Sequence, residues 1–155
     1  MTGGLLLRPV ERDDLPALAA LEAACFPDPW TETGLGLLLS RPYGGLCAVQ
    51  AGAVVGYVGW MYLPAGDGIG AEAEIVRIAV APAVRRRGIG RALLDAMLAA
   101  LTPDSPSLSV YLDVRESNRG AQALYEAFGF VRNGRRPRFY GDEDAREYIL
   151  TIPKG

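Results

Sequence analysis

"VRRRGIGRALLDAML", residues 84–98, decides how the fold is read. Arg85, Arg86 and Arg87 are adjacent and repel one another. Gly88 and Gly90 cost helix stability just where Leu93, Leu94, Met97, Leu98 and Leu101 begin to recur at helical spacing. An anion resolves both conflicts. The first N–H groups of a helix lack internal partners, and the helix dipole adds partial positive charge there. Glycines let those groups approach a ligand, and arginines add forked donors. The competing reading is a capped helix start with solvated arginines, and "GIG" alone does not decide between the two. A dinucleotide fingerprint fails at its third glycine, which is Leu93, and roughly 80 residues precede the loop where such a fold begins near its start. A Walker loop fails for want of Gly-Lys-Ser/Thr.

Outward from this stretch, "AEAEIVRIAVAP" before it reads as a long strand ended by Pro82. Upstream, "GLLLRPV" (4–10) reads as a strand, and "DDLPALAALEAACF" as a helix capped by Asp13, with Pro16 in its first turn and a Leu15, Leu18, Leu21 stripe. "TETGLGLLLS" reads as a weaker helix containing Gly34 and Gly36. "GGLCAVQAGAVVGYVGWMYL" reads as a hairpin turning near Gln50–Ala53. Downstream come a loop, "TPDSP", a strand, "SLSVYLDV", and a helix, "SNRGAQALYEAFGF", capped by Ser117 or Asn118 and stopped by Gly129. A last strand follows "RRPRFYGDEDA". The order β-α-α-β-β-β-α-β-α-β-β implies an α/β (α+β) fold: one mixed, mostly antiparallel sheet with helices on its faces, in a single domain over residues 1–155.

Composition narrows the chemistry. There is no histidine, so acid–base work falls to carboxylates, tyrosine, cysteine or lysine, and no Cys–His nucleophile is possible. Net charge is −2, which gives no global field toward nucleic acid or membrane; the basic residues cluster at 85–91 and 132–138 instead. Cys25 and Cys47 sit among apolar neighbours and read as reduced core residues. No signal peptide or membrane span is visible, so a cytoplasmic location is expected.

The segment Arg85-Arg86-Arg87-Gly88-Ile89-Gly90, with its strand before and helix after, matches the R/Q-x-x-G-x-G/A signature and resembles the GNAT superfamily of N-acetyltransferases. "FPDPWTE", "IAVAPAVRRRGIGRALL", "YLDVRESNRGAQALYEAFGF" and "RRPRFYGDEDA" resemble successive landmarks of its RimI-type branch, whose members acetylate the N-terminal alanine of a small-subunit ribosomal protein. The resemblance implies a sheet of about seven strands with four helices, splayed at an acetyl-CoA site. It implies acetyl-CoA as co-substrate, a protein N-terminus as acceptor, and no metal, nucleic acid or membrane. Arg85, Arg86, Arg87, Gly88, Ile89, Gly90 and Arg91 would hold the pyrophosphate. The backbone of Ile78, Ala79 and Val80 would line the pantetheine arm, and Asn118 matches a further cofactor contact.

Acetyl transfer from a thioester to an amine needs a base for the amine and an acid for the thiolate. Tyr125 matches the family's acid; seven residues after Asn118, it is expected on the same helix face. The branch's base is a glutamate in "L-E-V-R", where this chain has Asp113 in "LDVR", one methylene shorter. Glu74 in "AEIV" resembles the catalytic glutamate of another branch, and both remain candidates. Asp113 could instead pair with Arg115. Trp30 and Tyr140 match aromatics that flank the peptide entrance, and Asp142, Glu143 and Asp144 could attract a basic tail or be a solvated loop. A small-molecule amine acetyltransferase and a non-catalytic acetyl-CoA-binding module would share the cofactor residues.

Overall fold

The computed structural model describes residues 4–63, 71–101 and 107–153; the expected loop at 102–106 lies outside them. The chain falls into two compact units, Met1–Met61 with Arg77–Leu101 and Tyr62–Val76 with Thr102–Gly155.

In the first unit, β1 (Leu6–Pro9) pairs antiparallel with β2 (Tyr43–Gln50), and β2 with β3 (Ala53–Leu63) through a tight turn at Ala51–Gly52. Helix α1 (Leu15–Cys25) buries Leu15, Leu18 and Leu21, as the stripe requires, and also Glu22. Asp14, not Asp13, occupies its N-cap, because a short 3-10 turn over Arg12–Asp14 precedes it. Asp14 makes no side-chain cap. Its carboxylate takes a bidentate pair from Arg8 at 2.8 and 2.9 Å and the Glu11 N–H at 2.7 Å, and lies below the usual carboxylate range because Arg8 donates to it. The second predicted helix shrinks to α2 (Glu32–Leu35) plus a 3-10 turn over Gly36–Leu39, a reduction in keeping with glycine's low helix propensity. Helix α3 (Ile89–Leu101) buries Ile89, Leu93, Leu94, Met97 and Leu101. Both cysteines are free; Cys47 is buried, and burial followed by the Asp14 charge pushes its thiol up to about 12. Cys25 is only half-buried, at the C-terminus of α1 with its Sγ 3.5 Å from the Val80 carbonyl.

Strand β4 (Ala71–Val80) spans both units. In the second unit it runs parallel to β5 (Ser107–Arg115), but the ladder covers only Ala71–Ile75 against Leu108–Leu112. β5 pairs antiparallel with β7 (Ala145–Pro153), which pairs antiparallel with β6 (Val131–Arg136) across an irregularity between Arg132 and Gly134. β5 alternates strictly: Leu108, Val110, Leu112 and Val114 are buried, while Tyr111, Asp113 and Arg115 face the other way. Helix α4 (Arg119–Phe128) starts at Asn118, whose Oδ1 accepts from the Ala121 N–H. It ends in a left-handed Gly129 (φ 119°), with Phe130 N–H bonded to the Tyr125 carbonyl and Gly129 N–H to that of Glu126. That closure fixes the register of Tyr125. The sheet has seven strands in the order β1-β2-β3-β4-β5-β7-β6, with four α-helices among the described residues, as the order of elements implied. Among the described residues no helix is long and apolar enough to cross a membrane.

Candidate active site

The first unit carries the predicted anion loop. After Val80 the chain makes a 3-10 turn at Pro82–Val84, then takes left-handed backbone at Arg86 (φ 67°) and Gly88 (φ 82°) before α3 starts at Ile89. The first helical bond is Ala92 N–H to the Gly88 carbonyl, so the N–H groups of Ile89 and Gly90 lie ahead of the ladder. A Cβ built on Gly88 would meet nothing within 4 Å, so it would project into open space. This is a loop into which a phosphate fits, with backbone donors at its base. Ile89 contributes only backbone, because its side chain is buried. Arg85 is turned back on the strand: its Nε donates to the Val80 carbonyl at 3.0 Å and its Nη2 lies 3.5 Å from Cys25 Sγ. Ala81 N–H donates to the Val55 carbonyl of β3, so by strand alternation the backbone groups of Ile78 and Val80 point to the opposite edge of β4.

A network that sequence reasoning missed lies beside this strand. Glu22 is fully buried. It accepts from the Tyr57 hydroxyl at 2.6 Å, from Arg77 Nη2 at 2.8 Å and Nε at 3.0 Å, and from the Trp30 N–H at 2.8 Å. Arg77 also donates to the Asp28 carbonyl and stacks its guanidinium 3.7 Å from the Phe26 ring centroid and 5.0 Å from that of Trp30. The Phe26–Trp30 segment is thereby clipped at both ends, and Trp30 is held by stacking and by its own backbone. Two signals were present in the sequence: Glu22 falls on the helical stripe of Leu15 and Leu18, and Arg77 interrupts an apolar strand.

The second unit brings together Glu74 and Asp113. Glu74 is in register with Tyr111, and Asp113, two residues on, with Glu147 of β7, so all of them share one face of the sheet. Burial, then the Asp113 charge, raises the Glu74 carboxyl above its ordinary value; burial raises Asp113, with Arg136 opposing. Asp113 does not pair with Arg115. Its Oδ1 is 3.4 Å from Arg136 Nε, whereas Arg115 pairs with Asp142 at 3.0 Å and Glu143 at 3.2 Å, and its guanidinium lies 4.4 Å from the Tyr140 ring centroid. The acidic run is therefore engaged internally: Glu143 also accepts from the Ser117 N–H, and Asp144 from the Arg138 N–H while pairing with Arg135. Nothing in the sequence links Arg136 and Glu147 to Asp113, because only the β6–β7–β5 register sets them beside it.

Tyr125 is buried, edge-on to Phe130 at 5.7 Å between centroids and 6.4 Å from Tyr148, which belongs to the opposite face of the sheet from Asp113. Burial raises its phenol, so it keeps its proton well into the alkaline range. Asn118 caps α4 through Oδ1, so a ligand contact from it must use the amide NH2.

Similarities to known proteins bear on these features. The model of the acetyltransferase (GNAT) family matches residues 15–130. The N-alpha-acetyltransferase RimI of Mycobacterium tuberculosis is 36% identical over 147 residues, 93% of this chain and 89% of that protein. An uncharacterised protein of Mycobacterium leprae is also 36% identical, over 88% of this chain, but the chain spans only 37% of its length. The crystal structure of the ribosomal-protein-alanine N-acetyltransferase of Escherichia coli superposes with a TM-score of 0.81 at 30% identity, covering 98% of this chain and 96% of that one.

The Glu22 network yields a stability prediction. Glu22→Gln keeps an acceptor for Tyr57 but leaves the largely buried Arg77 without a counter-charge, which should lower stability by about 3 kcal/mol in chemical denaturation. A loss below about 1 kcal/mol would mean that solvent compensates Arg77 and that the pair is of the exposed kind.

Proposed function

The chain belongs to the acetyltransferase (GNAT) family and is an acetyl-CoA-dependent N-acetyltransferase, and from that premise we propose that its acceptor is the N-terminal α-amino group of a ribosomal protein. We read residues 1–155 as one catalytic domain acting in the cytoplasm. The observation that carries the reading is the position of Glu74 and Asp113: two half-buried carboxylates with raised pKa on one sheet face, at the point where the β4–β5 ladder ends.

Bound acetyl-CoA supplies a thioester carbonyl as electrophile and a thiolate as leaving group. The Gly88–Gly90 backbone and the arginines of the loop hold its phosphates, and the outward edge of Ile78 and Val80 holds its arm. Glu74 takes the proton from the acceptor ammonium. Burial and then the Asp113 charge raise Glu74, which favours Glu74 as the base. Tyr125 Oη, kept protonated by burial, supplies the proton that the departing sulfur takes. Trp30 and Tyr140 flank the acceptor chain.

An α-amino group has a pKa near 7.7–8.0 and lysine near 10.4, so a carboxylate base deprotonates an N-terminus far more readily. An acetyl-transfer assay against alanine-initiated peptides, the same peptides with blocked N-termini and an internal lysine, and free polyamines should show transfer to the first class only. Equal rates on polyamines would replace this reading with a small-molecule acetyltransferase; no transfer to any amine would leave a binding module.

The base is tested by pH. A base works deprotonated, and burial places Glu74 above the ordinary carboxylate range, so activity should fall on acidification at a higher pH than a solvent-exposed glutamate would dictate. Glu74→Gln should lose most rate at low pH, with the defect shrinking above the amine's own pKa. Asp113→Asn should instead move the acid limb to lower pH, because the charge that raises Glu74 is gone. Identical profiles for wild type and both variants would remove the carboxylates from the chemistry.

A further inference from the structure

Gln122, Tyr125 and Glu126 fall at helical spacing on α4, so they lie along one side of it. Gln122 and Tyr125 are buried there, and both ends of the row are tied down. Gln122 Nε2 donates to the Arg115 carbonyl at 3.0 Å and to the Glu116 carbonyl at 2.9 Å. Glu126 Oε2 accepts from the Tyr148 hydroxyl at 2.5 Å. Both ties lead to β7. The turn that Gln122 grips is fixed by Arg146, whose Nε donates to Glu116 Oε1 at 2.8 Å, and Arg146 and Tyr148 share one face of β7 by strand alternation. Tyr125 lies between the two ties, its ring packed against Phe130 and Tyr148. The Gly129 closure bonds α4 to its own carbonyls and leaves its roll on the sheet to these ties.

The Tyr148 hydroxyl is costly where it stands. Tyr148 is fully buried, and a phenylalanine would fill the same space against Tyr125 with no polar atom to satisfy. What the hydroxyl adds is its bond to Glu126, the residue directly after Tyr125. With Gln122 holding the first turns, that bond fixes the roll of the last turn about the helix axis. Roll is amplified at Tyr125 Oη, the far end of the ring, and a displacement of about 1 Å at a reacting group can cost about 100-fold in rate.

We propose that Tyr148 is a positioning residue for Tyr125: by anchoring Glu126 it sets the roll of α4 that aims Tyr125 Oη at the departing sulfur. The proposal rests on the reading of Tyr125 as the acid and adds Tyr148 and Glu126 to it. Tyr148 acts through α4, and Glu126 is the point at which it holds the helix.

The test separates aim from packing. Tyr148→Phe keeps the ring beside Tyr125 and removes the bond to Glu126, and because Glu126 is exposed its carboxylate is left to solvent. The first readout needs no acceptor. With tyrosines isotope-labelled at ring Cζ, the Tyr125 NMR signal, identified by its loss in Tyr125→Phe, should shift when CoA binds to the wild type. In Tyr148→Phe that shift should shrink, while the Kd for CoA by calorimetry stays within about twofold. The second readout is a double-variant cycle on transfer to an alanine-initiated hexapeptide. Tyr148→Phe should lower kcat about tenfold with both KM values little changed. Added to Tyr125→Phe, it should cost less than about twofold more, since aim is irrelevant once the hydroxyl is gone. Glu126→Ala should match Tyr148→Phe, and Glu126→Gln, which can still accept, should lose less. Additive losses from Tyr148→Phe and Tyr125→Phe, a wild-type kcat in Tyr148→Phe, or an unchanged CoA-induced shift in that variant would each overturn the proposal. A Tyr125 signal that ignores CoA in the wild type would remove the acid reading itself, and the proposal with it.

Discussion

The early end of one ladder governs this structure. β4 and β5 pair in parallel only as far as Ile75 and Leu112, yet β4 runs on to Val80 and β5 to Arg115. Backbone N–H and C=O groups left without a strand partner need another. On β4, the groups of Ile78 and the Val80 N–H face the edge opposite Val55, while the Val80 carbonyl is taken by Arg85 Nε, and the strand then delivers the chain through Pro82 into the glycine loop and α3. On β5, Asp113 stands one residue past the last paired position, with Glu74 one residue before the last on β4.

The acid–base groups follow from burial, since the chain contains no histidine to titrate near neutrality. Glu74 and Asp113 are raised by desolvation, and Tyr125 by desolvation on the other face of the same sheet. One effect therefore prepares a carboxylate to accept a proton and a phenol to keep one. The charges that modulate it lie on neighbouring strands: Arg136 on β6 lowers both carboxylates, and Glu147 on β7 raises them. In the first unit the same physics has a structural use. Glu22 is tolerated in complete burial because Arg77, Tyr57 and the Trp30 N–H surround it.

Local chemistry was legible in the sequence and long-range pairing was not. The loop at Arg85–Gly90, the apolar faces of α1 and α3, and the Gly129 stop of α4 each follow from residues within one or two turns, and the seven-strand sheet follows from their order. Asp14 rather than Asp13 stands at the start of α1, because the 3-10 turn over Arg12–Asp14 takes up Asp13. Spacing places Asp113 and Arg115 on one face of β5, but strand alternation is not what selects a charge partner here. The β6–β7 hairpin brings Arg136 alongside instead, and Arg115 turns to Asp142 and Glu143. Glu22 and Arg77 are 55 residues apart, beyond the reach of any periodicity.

Amide hydrogen exchange with and without acetyl-CoA tests the central claim most directly, because it reads the backbone groups on which the account rests. Bound acetyl-CoA should slow exchange at Ile78 and Val80 and at Ile89 and Gly90, while leaving the paired stretch Ala71–Ile75 as it was. Binding that protects none of these amides, or that protects β6 or the β2–β3 turn instead, would contradict it.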